Sequence, residues 1–270
     1  MLPRLFTSRP ISSRHAAVLR MEALLEVKTL SLHFGGIKAL QEVALAVAEG
    51  ETLAVIGPNG SGKTSLFNCV TGLYRPTAGA VAFRGESLLG RSPDAITRLG
   101  IARTFQNPRL FHNMSVLDNL LVGRHLHFRK NFLHAVLRLR GEEIRHRRRC
   151  EEIIEFLNLE AVRKGRVADC PYGVQKRVEV GRALATEPRL LLLDEPVSGL
   201  TQEEKEEFSY WIHEIRGRFG ITILLVEHDL RVASRLAGRM VALDHGVKIA
   251  EGTPAEVQRH PDVIKAYLGE

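Results

Sequence analysis

Apolar runs and alternating apolar positions predict the strands of this chain. Residues 43–47 alternate larger and smaller apolar side chains, which is typical of a half-buried strand. The run Thr52–Ile56 is typical of a central strand, and the run 221–226 has the length of a buried strand. The predicted strands are 25–27, 43–47, 52–56, 81–83, 190–193, 221–226, 240–243 and 247–250.

Between about residues 107 and 173 the strand-like runs disappear. Charged helical patterns replace them, including one over 138–159. Elsewhere strand runs alternate with helices, which predicts a parallel sheet between helix layers. Asp244-His245-Gly246 separates the last two runs and predicts a hairpin turn. The pattern therefore predicts an α/β fold, with residues 107–173 inserted as a helical segment.

The composition is that of an ordinary globular protein, with 44% hydrophobic and 26% charged residues. No apolar run approaches the ~18 residues needed to cross a bilayer, so another chain would supply any membrane-spanning part. Cys69, Cys150 and Cys170 lie far apart and form no C-x-x-C pair. A disulfide framework or a zinc site is therefore not expected. The cysteines instead fit a protein of a reducing compartment.

The net charge of +7 is uneven along the chain. Residues 1–20 hold four arginines and no acidic residue, and the remainder has 34 basic against 31 acidic residues. This distribution gives little support for a nucleic-acid partner. The segment resembles a transit peptide, but we favour an upstream extension before a start at Met21. The arginine-rich run 138–149 is interleaved with glutamates, which favours a solvated helix face over contact with anionic lipid.

A phosphate-binding motif follows the run Thr52–Ile56 and precedes a helix predicted from about Lys63. It matches G-x-x-x-x-G-K-[ST] in the strand–loop–helix context that this motif requires. Glycines let backbone N–H groups turn toward phosphate oxygens, and the start of the helix adds positive potential. Lys63 would contact the β- and γ-phosphates, and the Thr64 hydroxyl would bind Mg²⁺. The expected nucleotide-binding residues are Gly57, Pro58, Asn59, Gly60, Ser61, Gly62, Lys63, Thr64 and Ser65.

Two acidic residues follow the four leucines 190–193 directly. A buried strand that ends in carboxylates places them at the ligand-binding edge of such a sheet. Asp194 would hold Mg²⁺, and Glu195 would act as the general base for the attacking water. His228 follows the next strand and would contact the γ-phosphate and this water.

These motifs, in this order and spacing, resemble the ATPase subunits of ABC transporters over residues ~24–270. The resemblance implies a P-loop NTPase with a RecA-like core, an ABC-type antiparallel β subdomain and a helical subdomain. Residues 21–270 would form this domain, with residues 1–20 as a disordered or non-native extension. The implied cofactors are ATP and Mg²⁺.

The same resemblance implies two further site residues. Gln106 would be the lid glutamine, which contacts Mg²⁺ and the attacking water where the transmembrane subunit docks. Phe34 would stack on adenine, unless it is a core residue beside a glycine turn.

The segment that should bear the family's signature loop departs from the usual pattern. Of Leu-Ser-Gly-Gly-Gln, the five residues 170–174 keep only Gly173, before a helix expected near Val174. The segment resembles the x-Pro-Tyr-Gly-x-Gln variant of amino-acid importers. Tyr172 and Gly173 would contact the ATP of a second subunit through backbone N–H groups and the helix dipole. Thr201 stands where the family usually has an acidic or amide residue. Whether the two subunits of a dimer communicate through this position is therefore left open.

Stretches that hydrolysis does not require point to one type of transporter. Residues 34–40, 103–111 and 260–269 resemble the larger-type ATPase of branched-chain amino-acid importers. The implied protein energises amino-acid import from the cytoplasmic face of the inner membrane, with permease subunits and a second ATPase subunit as partners. The apolar residues 110, 111, 114 and 116 form either a groove for a permease helix or subdomain core.

Other functions remain alternatives from the sequence. A urea, amide or aromatic-acid importer uses a similar ATPase. A soluble ABC ATPase acting on nucleic acid would carry a long coiled coil, a zinc-finger insertion or tandem units, and no nucleic-acid partner is expected here. A non-catalytic subunit is supported by the altered signature segment alone.

Overall fold

The computed structural model describes residues 23–128 and 140–268. The predicted extension over residues 1–20, the first residues of the helix predicted from 138 and the last two residues of the chain lie outside these ranges. The strands are β1 (Ala23–Phe34), β2 (Ile37–Ala48), β3 (Thr52–Ile56), β4 (Ala78–Phe83), β5 (Glu86–Ser87), β6 (Ile101–Arg103), β7 (Leu190–Asp194), β8 (Thr222–Glu227), β9 (Arg239–Asp244) and β10 (Val247–Gly252). The helices are α1 (Lys63–Val70), α2 (Pro93–Arg98), α3 (Val116–Gly123), α4 (Arg140–Phe156), α5 (Tyr172–Ala185), α6 (Gln202–Phe219), α7 (Leu230–Leu236), α8 (Pro254–Gln258) and α9 (Pro261–Leu268).

The larger sheet has six strands in the order β10-β9-β3-β8-β7-β6. Strand β3 pairs in parallel with β8 and β9, and β7 pairs in parallel with β8 and β6. Strand β10 runs antiparallel to β9. The α/β fold built on a parallel sheet, as predicted, is confirmed, and the short strand β6 adds an edge that the apolar pattern did not predict.

Continuous apolar strands arise because both faces of this sheet are buried. In β3, Leu53 and Val55 pack into one hydrophobic core, while Ala54 and Ile56 pack into the other. The leucines of β7 alternate between the same two cores. One core lies on the side of α3 to α6, and the other on the side of α1 and the smaller sheet.

The smaller sheet is antiparallel, with strands in the order β2-β1-β4-β5. Its buried face brings Leu25, Val27 and Phe83 against Leu66 and Phe67 of α1. The predicted alternation over residues 43–47 is confirmed, because positions 43, 45 and 47 are buried. This sheet therefore covers the helix that follows the phosphate-binding motif.

The described chain between β6 and α5 consists of helices and loops. It holds α3, α4 and short 3₁₀ turns, with one isolated bridge between Ser115 and Arg166. Leu110 and Val116 are buried in the core beside these helices. Phe111 and Met114 are exposed. The apolar cluster is thus half core and half surface.

Surface ion pairs cover the arginine-rich helix α4. Arg148 is 83% exposed and lies 3.7 Å from Glu152, and Arg149 lies 2.8 Å from the same carboxylate. These pairs fit the predicted solvated face. Among the described residues, no helix has both the length and the apolar character needed to cross a bilayer.

The hairpin turn and Thr201, both singled out in the sequence, have defined local structures. The turn between β9 and β10 is a two-residue loop, with φ of 43° at His245 and 78° at Gly246, and the predicted hairpin is confirmed. Thr201 caps α6: its hydroxyl accepts from the N–H of Glu204, whose carboxylate accepts from the N–H of Thr201. Threonine at this position thus has a local structural role.

Candidate functional site

Parallel pairing brings the two sequence motifs to one edge of the larger sheet. Strand β8 lies between β3 and β7, with Ile56 in register with Glu227 and Asp194 in register with Val226. The phosphate loop, residues 57–64, therefore begins beside the strand end that carries Asp194 and Glu195. His228 follows β8, the strand between β3 and β7. The site therefore lies at the ends of three neighbouring strands.

The phosphate loop is packed too tightly for side chains at two glycines. A Cβ atom at Gly57 would lie 2.1 Å from the carbonyl oxygen of Leu243, and one at Gly62 would lie 2.6 Å from that of Ala39. Both glycines also have positive φ. The loop is therefore held between β9 and the start of β2, with its backbone in the conformation that inward-facing N–H groups require.

The side chain of Lys63 folds back into this loop. Its ammonium group donates to the carbonyl oxygens of Gly57 and Pro58, each at 2.8 Å, and to the Ser61 hydroxyl at 3.3 Å. Burial lowers the pKa of Lys63, while Glu195, Asp194 and Glu227 act in the opposite direction. The ammonium thus faces the acidic strand ends from across the loop.

Asp194 is held by a buried arginine. Arg103, at the end of β6, donates to Asp194 Oδ2 at 2.7 Å and to Asn68 Oδ1 at 2.7 Å. The side chains of Arg103 and Asp194 are 6% and 7% exposed. The guanidinium group also lies over the rings of Phe67 and Phe105. These contacts fix the carboxylate and leave its Oδ1 for a further partner.

Glu195 lies at the centre of the exposed part of the site. Its Oε2 accepts from Gln106 Nε2 at 2.9 Å and lies 3.4 Å from His228 Nδ1. Its backbone has φ of 46°, which is uncommon for a residue with a Cβ and occurs often at functional sites. The sequence predicted Glu195, Gln106 and His228 as catalytic residues, and the structure brings all three together.

The three predicted metal ligands offer only oxygen for coordination. Asp194 supplies a carboxylate, Thr64 an exposed hydroxyl and Gln106 an exposed side-chain amide. Mg²⁺ prefers such ligands and shares them with substrate phosphates. The described residues contain no cluster of three or more His, Cys, Asp or Glu side chains for a metal ion. The residues therefore fit a metal ion that is bound together with a nucleotide.

Phe34 ends β1 beside the glycine turn and is 47% exposed, so it is not a core residue. Its ring meets that of Tyr74 edge to face, with 5.2 Å between centroids. The same hairpin continues into β2, whose residues 39 and 40 contact Gly62. An exposed aromatic face thus lies on the hairpin that covers the phosphate loop.

The signature segment belongs to the start of α5. This helix begins at Tyr172, two residues before the expected start near Val174, so Tyr172 and Gly173 lie in its first turn. The Tyr172 hydroxyl donates to the carbonyl oxygen of Gln106 at 3.2 Å. A Cβ atom at Gly173 would lie 2.2 Å from Glu204 Oε1. Tyr172 thus has a partner within its own chain, and Gly173 lies close to the Glu204 side chain.

Sequence reasoning missed three buried ionisable residues of the site, Arg103, Lys176 and Glu227. Arg103 stands three residues before Gln106, and Lys176 stands three residues after Gly173. The apolar pattern gave no signal for Arg103, because the three-residue strand β6 that carries it was not predicted. The i,i+4 spacing of Tyr172 and Lys176 places both on one face of α5, but the helix was expected to begin only near Val174.

Glu227 at the end of β8 is the third such residue, and it is 1% exposed. Burial raises the pKa of its carboxyl group to about 8, and the charge of Glu195 adds to this shift. Among the described residues, its Oε1 has no hydrogen-bond partner. Burial and the neighbouring charge therefore favour the protonated form of this carboxyl group in the folded chain.

Glu227→Gln is expected to stabilise the chain increasingly as pH rises. In the unfolded chain the carboxyl group of Glu227 loses its proton above about pH 4.5, whereas in the folded chain it keeps the proton up to about pH 8. The stability that this group contributes is therefore complete below about pH 4.5 and is lost as pH rises through about 8. Glutamine cannot ionise. The gain in Tm over the wild type should be larger at pH 9 than at pH 6, with the exposed Glu203→Gln as control. An equal gain at both pH values would contradict the raised pKa.

The chain is similar over most of its length to proteins of a known family. A family model described as ABC transporter matches residues 40–198, more than half of the chain. A second model, described as branched-chain amino acid ATP-binding cassette transporter, matches residues 247–270. The chain is 40% identical over 250 residues to the high-affinity branched-chain amino acid transport ATP-binding protein BraF of Pseudomonas aeruginosa, covering 92% of this chain and 98% of that protein.

Solved structures agree with these matches. A crystal structure of an ATP-binding cassette of an ABC transporter in its ADP conformation superposes with a TM-score of 0.81 at 31% identity, covering 92% of this chain and 99% of that chain. A dimeric ATP-binding cassette in a post-hydrolysis state, bound to ADP and Pi, gives 0.74 at 27% identity, covering 85% and 98%.

The chain belongs to the ABC transporter family. It is an ATP-binding cassette, that is, a nucleotide-binding ATPase subunit coupled to transport. The expected fold class and the resemblance to the ATPases of branched-chain amino-acid importers are confirmed.

Proposed function

We propose that this chain hydrolyses Mg-ATP to energise the import of branched-chain amino acids. ATP hydrolysis is supported by one observation. The phosphate loop, Asp194, Glu195 and His228 lie together at one edge of the larger sheet. The names of the relatives and the model matching residues 247–270 support the substrate class. The transported solute does not touch an ATPase subunit. The substrate class is therefore inferred from family membership and not from the residues of this site.

Binding of ATP would use the phosphate loop and Phe34. Backbone N–H groups of residues 57–64 and Ser65 would surround the phosphates, with the start of α1 adding its positive potential. Lys63 would exchange the carbonyl oxygens it now contacts for phosphate oxygens. The exposed ring of Phe34 would stack on adenine, with Tyr74 supporting it from the edge.

Hydrolysis would depend on Glu195 as general base. Mg²⁺, when bound with the phosphates, would neutralise their charge, and Thr64, Asp194 and Gln106 would hold it. Glu195 would take the proton of the attacking water, since its carboxylate is available once Gln106 releases it. His228 would donate from its exposed ring to the γ-phosphate and orient the same water.

A second ATPase subunit, identical or paralogous, would complete each site. The dimeric cassette with ADP and Pi supports such an assembly. Tyr172 and Gly173 of one subunit would contact the ATP held by the other through the first turn of α5. Glu204 already lies close to Gly173, so this contact requires the glutamate side chain to turn away.

Permease subunits would dock beside the lid glutamine. A groove of about 280 Å³ lies there, and its apolar lining includes Leu73, Ile96, Phe105 and Val122. Its size and apolar lining suit one face of a short permease helix. The subunit would then sit peripherally on the cytoplasmic face of the inner membrane.

Uptake measurements test this proposal. Lys63→Met, introduced into the chromosomal copy, is expected to abolish the part of leucine, isoleucine and valine uptake that this transporter supplies. Lys164→Met changes an exposed lysine and should leave uptake intact. Loss of urea, amide or aromatic-acid uptake instead, with branched-chain uptake unchanged, would contradict the proposed substrate class.

A further inference from the structure

Lys176 is a buried cation that joins three segments of the site. It lies on α5 and is 2% exposed. Its Nζ donates to the carbonyl oxygen of Gln106 at 2.7 Å and to that of Glu195 at 3.2 Å. One side chain of the signature helix therefore contacts the backbones of both the lid glutamine and the general base.

Burial of this ammonium group has a cost that its acidic surroundings offset. Burial lowers the pKa of Lys176, and the negative charges of Glu179, Glu195 and Asp194 oppose that shift, with Glu179 first among them. A buried charge is tolerated when it is hydrogen-bonded and compensated in this way. A neutral apolar side chain would fill the same space without the cost, so packing alone does not account for a lysine here.

Tyr172 holds the same carbonyl group from one turn earlier on α5. Its hydroxyl donates to the oxygen of Gln106 at 3.2 Å, and its ring lies 5.7 Å from the Lys176 ammonium. Residues spaced i,i+4 share a helix face. Tyr172 and Lys176 at the start of α5 thus both donate to the backbone of the lid glutamine. Of these two donors, Lys176 also reaches the backbone of Glu195.

The side chains of Gln106 and Glu195 hold each other by a bond of 2.9 Å. In the proposed function both must leave this bond, because each has a separate partner around the nucleotide. The bridge through Lys176 involves their backbones and does not depend on that bond. Separation of the two side chains therefore does not require this bridge to break.

We propose that Lys176 is a positioning residue for ATP hydrolysis, which keeps the backbones of Gln106 and Glu195 at a fixed separation when their side chains engage Mg-ATP and water. This inference rests on the proposed roles of Gln106 and Glu195. Because the Lys176 ammonium donates to the backbone carbonyl groups of Gln106 and Glu195, its loss is expected to change the rate of the chemical step and to leave binding intact.

Steady-state kinetics of the purified full-length chain test the inference. Lys176→Met is expected to lower kcat by about 10- to 100-fold, the usual cost of removing a residue that orients a reactive group. KM and the Kd of a fluorescent ATP analogue should stay within about threefold, since removing an interaction made only in the reaction leaves ground-state binding unchanged. Lys176→Arg keeps the cation and should recover most of the rate, and exposed Lys164→Met should match the wild type.

Each result decides between the inference and its alternatives. A Lys176→Met chain with wild-type kcat would overturn the inference, as would parallel losses of kcat, nucleotide binding and thermal stability. If Lys176→Met does not fold, Lys176→Gln, which retains an N–H donor, is measured by the same criteria. Absence of ATP hydrolysis by the wild-type chain, even when it is assembled with its second ATPase subunit, would instead overturn the proposed function, so the two failures are distinguishable.

Discussion

Glu195→Gln is expected to lower kcat for ATP hydrolysis by about 10²- to 10⁴-fold, the usual contribution of a general base, while binding of Mg-ATP is retained. Glutamine fills the same space as glutamate beside Gln106 and His228 but accepts no proton. Since ATP then persists in the site, the variant should also accumulate a closed, ATP-bound dimer. Hydrolysis is measured by phosphate release, and dimer formation by gel filtration with Mg-ATP.

The control for this variant is Glu203→Gln, which changes an exposed glutamate at the start of α6. It should hydrolyse ATP at the wild-type rate and form no persistent dimer. Wild-type hydrolysis by Glu195→Gln would show that the general-base assignment is wrong. A variant that neither hydrolyses nor binds ATP would show that the glutamate acts in binding.

Arg103→Met is expected to lower the free energy of unfolding by about 3–5 kcal/mol, because it leaves the buried carboxylate of Asp194 without its partner. The apolar part of Met fits between Phe67 and Phe105, so packing changes little. The double variant Arg103→Met/Asp194→Asn should be more stable than Arg103→Met alone, since it removes the unpaired charge.

Urea unfolding of the four chains in this cycle measures the coupling between the two residues. Arg163→Met provides the control, because its pair with Glu151 is partly exposed at 3.4 Å and should contribute less than about 1 kcal/mol. Additive effects of the two substitutions would contradict a buried, coupled Arg103–Asp194 pair.

The apolar pattern predicted the sheet because burial on both faces leaves a local signal. Strands β3, β7, β8 and β9 were all predicted within one residue of their observed bounds, and the less buried β10 was predicted two residues short at its end. Strand β6 has three residues, too few for a periodic signal. The start of α5 was expected two residues late because helix ends depend on local capping and fray by about that much.

The candidate site was predictable where one residue type is chemically required at a fixed spacing. The phosphate loop, Asp194, Glu195 and His228 fall into this group, and parallel strands bring them together. Arg103 and Lys176 were not predictable in this way, because their importance comes from burial and from partners distant in sequence. Whether an apolar side chain is core or surface also depends on packing, as the split between Leu110 and Phe111 illustrates.

A crystal structure of Glu195→Gln with Mg-ATP tests the central claim directly, because it locates one nucleotide relative to both motifs. The triphosphate is expected among the backbone N–H groups of residues 57–64, with the metal ion next to Thr64 and Asp194 and a water molecule beside residue 195. A triphosphate bound elsewhere on the chain, or one that contacts the phosphate loop but lies beyond the reach of Asp194, would contradict the account.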